Sequence, residues 1–239
     1  MKTTLIGAAC AAALAAALLA APATARAAAV TLTGWAFGGG GTVASSTGGV
    51  SSLAGYSGAA GGFAGSLSGA GALDQARFVT YCIELEESFS FSATPMTGYQ
   101  VVDAASYFAQ RRLASPLRPE GAQVAERLGR LFSWVQGEAT RVDSAVESTA
   151  LQLAVWNIVY DSDWSVFDPA GRFSDNSKHA PLAEAMLAGA AATANRLEVF
   201  ALARSGSQDF LLTTLRVPAP GTLALALLAL GAAAALRRR

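Results

Sequence analysis

Histidine, lysine and cysteine are the scarce residues of this 239-residue chain: one His, two Lys (Lys2 and Lys178) and two Cys. A single histidine, His179, excludes metal sets built on several imidazoles and leaves any cysteine or serine nucleophile only one choice of base. No cysteine or histidine spacing fits a zinc site, and no phosphate-binding loop is present. The glycine runs do not follow a strand in the nucleotide-binding arrangement. Charged residues make up only 14% of the chain, with 17 basic and 17 acidic side chains. That balance comes from the two ends. Of the 17 basic residues, five are Lys2, Arg26 and Arg237 to Arg239, leaving 12 against 17 acidic ones between residues 28 and 216. This middle portion is mildly acidic and has no basic stripe, so nucleic acid is not an expected partner.

What the ends do contain is apolar. Lys2 precedes Leu5 to Ala21, a run of Ala and Leu, and Ala25-Arg26-Ala27 offers small residues at a cleavage site. Residues 1–27 therefore read as a secretory signal peptide, with the mature chain starting near Arg26 or Ala28. Cys10 is not a lipoprotein cysteine, because Gly7 stands where a lipobox has Leu. At the other end Pro218 and Pro220 break the chain, Thr222 to Leu236 is apolar or small, and Arg237, Arg238 and Arg239 close it. As a helix that run is roughly 22 Å long, against a hydrocarbon core of about 30 Å. It is a marginal transmembrane helix whose arginines would stay on the cytoplasmic side.

A Pro-x-Pro element, an apolar stretch and a terminal arginine cluster resemble the PEP-CTERM sorting region of Gram-negative, exopolysaccharide-producing bacteria. Ala219 stands where that pattern has Glu. The resemblance covers residues 217–239 and implies an exosortase-type processing enzyme as a partner. It implies an address at the cell envelope, the outer surface or the extracellular matrix, with a transient or retained C-terminal membrane anchor.

The secreted portion, residues 28–216, reads as α+β: a β-rich N-terminal part, an inserted block of about four helices and a C-terminal β-hairpin. Val30–Phe37, Arg77–Ile83, Ser88–Ser92 and Gly98–Val102 are expected strands, from their β-branched and aromatic content or their alternation. Two readings fit the Gly-, Ser- and Ala-rich stretch 38–71. It is either a low-complexity linker or a set of small-residue strands, and its recurring single apolar residues favour strands. Asp103 is placed to cap a first helix carrying Tyr107, Phe108 and Leu113, and Pro116 and Pro119 separate it from the next. Val124, Leu128, Leu131, Phe132 and Val135 fall on one face of that second helix. Ser144 and Glu147 form a capping box for a third helix through Tyr160, and Pro181 lies in the first turn of a fourth. Leu197–Ala203 and Phe210–Val217 make the hairpin around residues 204–208.

Once the leader is removed, Cys82 is the only cysteine. An unpaired cysteine in a secreted chain is a reactive thiol, an intermolecular link, or a buried small hydrophobe. The third helix is apolar almost all round, yet Gln152 sits in its middle. A buried amide costs about 1–3 kcal/mol unless its polar atoms find partners. A facing backbone group would suffice.

Tyr81-Cys82-Ile83 on a strand, followed by Leu151-Gln152-Leu153-Ala154-Val155-Trp156 on a helix, resembles the thioester domains of bacterial surface adhesins. The resemblance spans about Phe78 to Tyr160. It implies that Cys82 is the thiol partner and Gln152 the acyl partner of an internal thioester, formed with loss of ammonia and opened by an amine on a partner molecule. The resulting expectation is a non-enzymatic adhesion or matrix protein. The alternative is a non-covalent, exopolysaccharide-associated structural protein with a free Cys82. A cysteine hydrolase, which would need His179, ranks third, because His179 lies in the polar stretch Asp175–His179 and reads as solvent-exposed. Asp161, Asp163 and Asp168 offer oxygen ligands for calcium, but they lack the Gly and terminal Glu of an EF-hand and read more simply as an acidic helix-exit loop. No cofactor is expected.

The arginine-ended tail generates a first prediction. Deleting Thr222 to Arg239 should move the protein from the cell fraction into the medium, as followed by immunoblotting. Equal retention of the truncated and full chains would exclude the tail as the anchor.

Overall fold

A computed structural model describes residues 27–168 and 171–216. The expected leader and sorting tail lie outside the described residues. Nine strands and four α-helices follow the expected α+β order. The strands are β1 (Ala27–Trp35), β2 (Gly41–Ser46), β3 (Gly55–Ala60), β4 (Phe63–Ser68), β5 (Gln75–Thr80) and β6 (Met96–Asp103), then β7 (Ser174–Asp175), β8 (Leu197–Arg204) and β9 (Ser207–Leu215). The helices are α1 (Ala104–Ala114), α2 (Gly121–Gln136), α3 (Ala145–Tyr160) and α4 (Ala180–Ala191).

Six strands form one antiparallel sheet in the order β5-β4-β1-β6-β8-β9. The chain leaving β5 then turns back onto the far edge. The Leu211 N–H donates to the Tyr81 carbonyl at 3.0 Å, the Ile83 N–H donates to the Asp209 carbonyl at 3.2 Å, and Cys82 bridges Phe210. The Thr80 hydroxyl adds a bond to the Leu211 carbonyl at 2.6 Å. The sheet therefore curls until its two edges meet, which leaves fewer backbone groups of β5 and β9 unpaired.

The glycine-rich stretch contains β2, β3 and β4, so it is structured. β2 and β3 join β7 in a second, three-stranded sheet beside the N-terminal end of α3. Three expected elements differ. The strand expected over Arg77–Ile83 ends at Thr80, so Cys82 lies beyond β5 in an isolated bridge. Ser88–Ser92 makes no ladder, and its alternation is only partial: Ser88 and Ser90 are exposed and Phe89 is half-buried, but Phe91 is 40% exposed, although both phenylalanines pack on Phe63 with ring centroids 4.7 and 5.7 Å away. The hairpin turn is tighter than the sequence suggested. Arg204 pairs with Ser207 across a two-residue turn in which Gly206 has φ 72°.

The helices begin where their caps require. The Asp103 carboxylate accepts from the Ser106 N–H at 2.9 Å, and Ser144 and Glu147 form the reciprocal capping box. In α2, Val124, Leu128, Leu131 and Phe132 are buried and Val135 partly so. Leu113 of α1 is exposed instead of joining Tyr107 and Phe108 in the core. From Ser148 to Tyr160 every residue of α3 is buried. No described helix is long and apolar enough to cross a membrane.

Gly121 opens α2 against the backbone of α1, and a Cβ there would overlap the Ala105 carbonyl and the Ala109 amide. The obstruction is backbone, so neither helix can yield by a rotamer change. Gly121→Ala should destabilise the fold by about 1–3 kcal/mol, read as a lower urea midpoint at unchanged m-value.

Candidate functional site

Strand pairing dictates what Cys82 exposes. Tyr81 and Ile83 turn their peptide groups toward β9, so the alternation of an extended chain turns those of Cys82 the opposite way. A buried residue so placed has one N–H and one carbonyl to satisfy. Gln152 meets both. The Cys82 N–H donates to Gln152 Oε1 at 2.9 Å, and Gln152 Nε2 donates to the Cys82 carbonyl at 2.8 Å. A primary amide presents an N–H donor and its carbonyl acceptor side by side, as one residue of an extended strand does, so Gln152 continues the ladder where no strand can.

This match requires α3 to be held at a fixed height, and polar contacts in its first turns do so. Ser148 Oγ accepts from the Gly62 N–H at 2.7 Å. Thr149 Oγ1 accepts from the Gly41 N–H at 2.8 Å and donates to the Ala60 carbonyl at 2.9 Å. One turn later Gln152 arrives at the seam. The two sequence-predicted site residues are thus brought together: the amide carbon lies between two atoms that contact the Cys82 backbone, and Sγ is two bonds from the Cys82 Cα. Cys82 is a free, buried cysteine.

Both residues line a cleft of about 410 Å³. Its walls are aromatic, including Trp35, Phe63, Phe89, Phe91, Tyr56 and Trp156. Trp35 lies 5.0 Å from Phe63, and Tyr56 stands edge-on to Trp156 at 5.2 Å, measured between ring centroids. Glu84 and Glu87 are the charged residues in the lining, which contains no Lys, Arg or His. Burial pushes the Cys82 thiol well above its ordinary pKa, and the nearby Glu84 charge adds to the effect. A thiol of this kind is held neutral, whereas cysteine nucleophiles of hydrolases are activated by the opposite shift.

Glu84 and Glu87 continue into a group that sequence reasoning missed. Carboxylate oxygens of Glu84, Glu87 and Asp209 lie within 4.8 Å of one another, the only such group of three among the described residues. Each of the six oxygens already accepts a hydrogen. Glu84 takes the Asp209 N–H (2.8 Å) and Arg111. Glu87 takes the Gly206 and Ser207 N–H groups, both at 3.1 Å. Asp209 takes the Arg204 N–H (2.7 Å), the Tyr107 hydroxyl (2.6 Å) and Arg111 (2.9 Å). Arg111 and these N–H and O–H donors thereby hold the three carboxylates together. One guanidinium among three acids leaves excess negative charge. Glu84 is pushed up to about 8, by burial first and by Asp209 next, and burial also raises Asp209. The signal available in the sequence was weak: Asp209 is far from Glu84 in the chain, and only the closure of the sheet joins them.

The carboxylates of two calcium candidates bond local backbone and side-chain donors. Asp161 accepts from the Ser162 N–H (2.7 Å), the Phe173 N–H (2.8 Å) and the Arg172 N–H, tying down the loop after α3. Asp163 accepts from the Asn157 amide (3.1 Å) and the Ser165 N–H (3.0 Å). The Asp168 carbonyl accepts from the Gly171 N–H at 3.0 Å. His179 departs from expectation. It is 3% exposed rather than solvent-facing, with its ring against Gly41 and Thr149. The apolar start of α4 draws it inward, and the cleft holding Cys82 contains no histidine.

No family model, curated protein or solved structure matches the chain.

The raised carboxyls generate a pH prediction. A carboxyl whose folded pKa exceeds its unfolded value near 4.3 binds its proton more tightly when folded, so its contribution is complete below that value and lost as pH rises through the folded pKa. Thermal or urea stability should decline between about pH 5 and 8, and Glu84→Gln should flatten the decline. An unchanged slope in the variant would remove Glu84 as its source.

Proposed function

We propose that this chain is an exported envelope or extracellular-matrix protein that attaches covalently to a partner through an internal thioester between Cys82 Sγ and Gln152 Cδ. The observation carrying the reading is the pairing of the Gln152 amide with the backbone of Cys82 in the wall of one cleft. In bond formation Sγ adds to Cδ, the C–N bond breaks, and the amide nitrogen leaves as ammonia with the thiol hydrogen. In attachment a partner's primary amine adds to Cδ, the C–S bond breaks, and the sulfur takes a proton from the amine. The product is a stable amide.

Three features support this chemistry. Cys82 and Gln152 are both nearly inaccessible, at 7% and 1% exposure, which slows hydrolysis of an activated acyl group. The carboxylates and aromatic faces of the lining suit an approaching ammonium group. Lys178 is the sole lysine of the described residues, so neighbouring copies offer few competing side-chain amines. The arginine-ended tail supports the envelope address on sequence grounds alone.

A second reading rests on the same pair. Gln152 satisfies the backbone of Cys82 fully as an amide, and this alone accounts for its burial. The protein would then be a structural, exopolysaccharide-associated matrix component with a free thiol. Intact mass separates the two readings. The thioester form should weigh one ammonia less than the processed sequence, should resist alkylation after denaturation, and should gain methylamine at Gln152. Cys82→Ala should restore the sequence mass and abolish the adduct. A wild-type protein of full sequence mass with an alkylatable Cys82 would establish the second reading.

A further inference from the structure

We infer that the Trp156 indole N–H and the Cys82 backbone N–H together form an oxyanion site for the side-chain carbonyl of Gln152, making Trp156 a catalytic residue of the acyl chemistry. This rests on the thioester reading above.

The first donor is already in contact with the reacting group. The Cys82 N–H reaches Gln152 Oε1 at 2.9 Å. The oxygen becomes the thioester carbonyl, and it carries the negative charge whenever Cδ turns tetrahedral. A carbonyl oxygen has two lone pairs, and one donor leaves the second available.

Trp156 is the residue able to supply another. It lies four positions after Gln152, so the two side chains share one face of α3. Long helical side chains lean toward the N-terminus, the direction in which Gln152 lies from Trp156. Both residues line the cleft, and Tyr56 stands edge-on against the indole. Trp156 is 3% exposed, yet its Nε1 is buried with no hydrogen-bond partner. A buried donor left unpaired costs about 1–3 kcal/mol and is rare in folded proteins. An unpaired N–H on a residue that shares the cleft wall with Gln152 is explained if its acceptor is an oxygen whose charge develops only during reaction.

The electron accounting is simple. As the amine nitrogen bonds to Cδ, the π pair moves onto Oε1, where the two N–H groups hold it. The pair returns as the C–S bond breaks, and Sγ departs with a proton from the amine. Bond formation uses the same oxygen, with Sγ attacking and ammonia leaving.

Trp156→Phe keeps an aromatic ring and removes the N–H. The test measures thioester content by intact mass, then the rates at which methylamine, hydroxylamine and water open the bond in the purified exported protein. Loss of one oxyanion donor should slow all three by about 10²–10³-fold, because the donor acts on the carbonyl and not on the nucleophile. A purely structural role would loosen the wall and speed hydrolysis. Faster hydrolysis, or unchanged rates, would overturn the inference. Should the phenylalanine variant fold poorly, benzothienylalanine at position 156 replaces N–H by sulfur in a ring of the same shape. With an unchanged melting temperature, slowed opening or absence of the bond supports the oxyanion role, and wild-type rates refute it. A wild-type protein without the mass deficit would sink the thioester reading itself, whereas wild-type deficit with unaltered variant rates would sink only the role of Trp156.

Discussion

A sheet that closes on itself must do something with the residue at the seam. Here that residue is Cys82, flanked by two peptide groups that bond to β9 and left with its own N–H and carbonyl facing the interior. Burial makes these groups costly unless they are paired, and only a side chain with adjacent donor and acceptor can pair them from a helix. Much of the interior follows from that constraint. α3 must be buried, must be apolar wherever it is not bonding, and must be fixed along its axis so that Gln152 meets the seam. The Ser148 and Thr149 hydroxyls give that axial fix by gripping backbone of β2, β3 and the turn into β4.

The same closure assembles the electrostatics. Residues 84 and 87 leave the seam on one side, and Asp209 lies opposite on β9. Their mutual repulsion is moderated by Arg111 and Tyr107 from α1 and by backbone N–H groups of the β8–β9 hairpin. The helical block thus contributes both to the cleft and to the carboxylates. α3 supplies an amide and an indole to the cleft wall, and α1 supplies a guanidinium and a phenol to the carboxylate network. The neutral, protected thiol lies between an aromatic wall and an acidic one, an environment that favours acyl storage over rapid nucleophilic turnover.

Much of this was legible in the sequence because it is written locally. The capping residues Asp103 and Ser144, the proline of α4, and the apolar stripe of α2 each act within a few residues, and the helices start near where those signals stand. Cys82 and Gln152 were also readable, one as the lone cysteine of a strong strand and one as an amide stranded in an apolar helix. What could not be read depends on residues distant in the chain. Phe89 and Phe91 alternate as a strand would, but their segment meets β1 and β9 only through single bonds at Ser92 and Ser88 and forms no ladder. His179 sits in a polar stretch, yet tertiary packing on Gly41 and Thr149 encloses it. The carboxylate network has no local spacing at all, since its members meet only when the sheet edges do. The small-residue stretch 38–71 shows the reverse case, in which weak patterning still formed strands because neighbouring elements supplied the burial.

A helix with no solvent-facing side from Ser148 to Tyr160 has a dynamic consequence. Amide hydrogens exchange through local opening where a segment can detach without exposing much apolar surface, and otherwise only when the whole domain unfolds. α3 cannot detach cheaply, because every residue along this stretch would bring buried surface into water. Its amides belong with the slowest-exchanging set of the protein, and the groups it carries into the seam share that lifetime. The alignment of Gln152 with the Cys82 backbone is thereby as durable as the fold itself, whereas access of an amine to the pair is set by the cleft that both residues line.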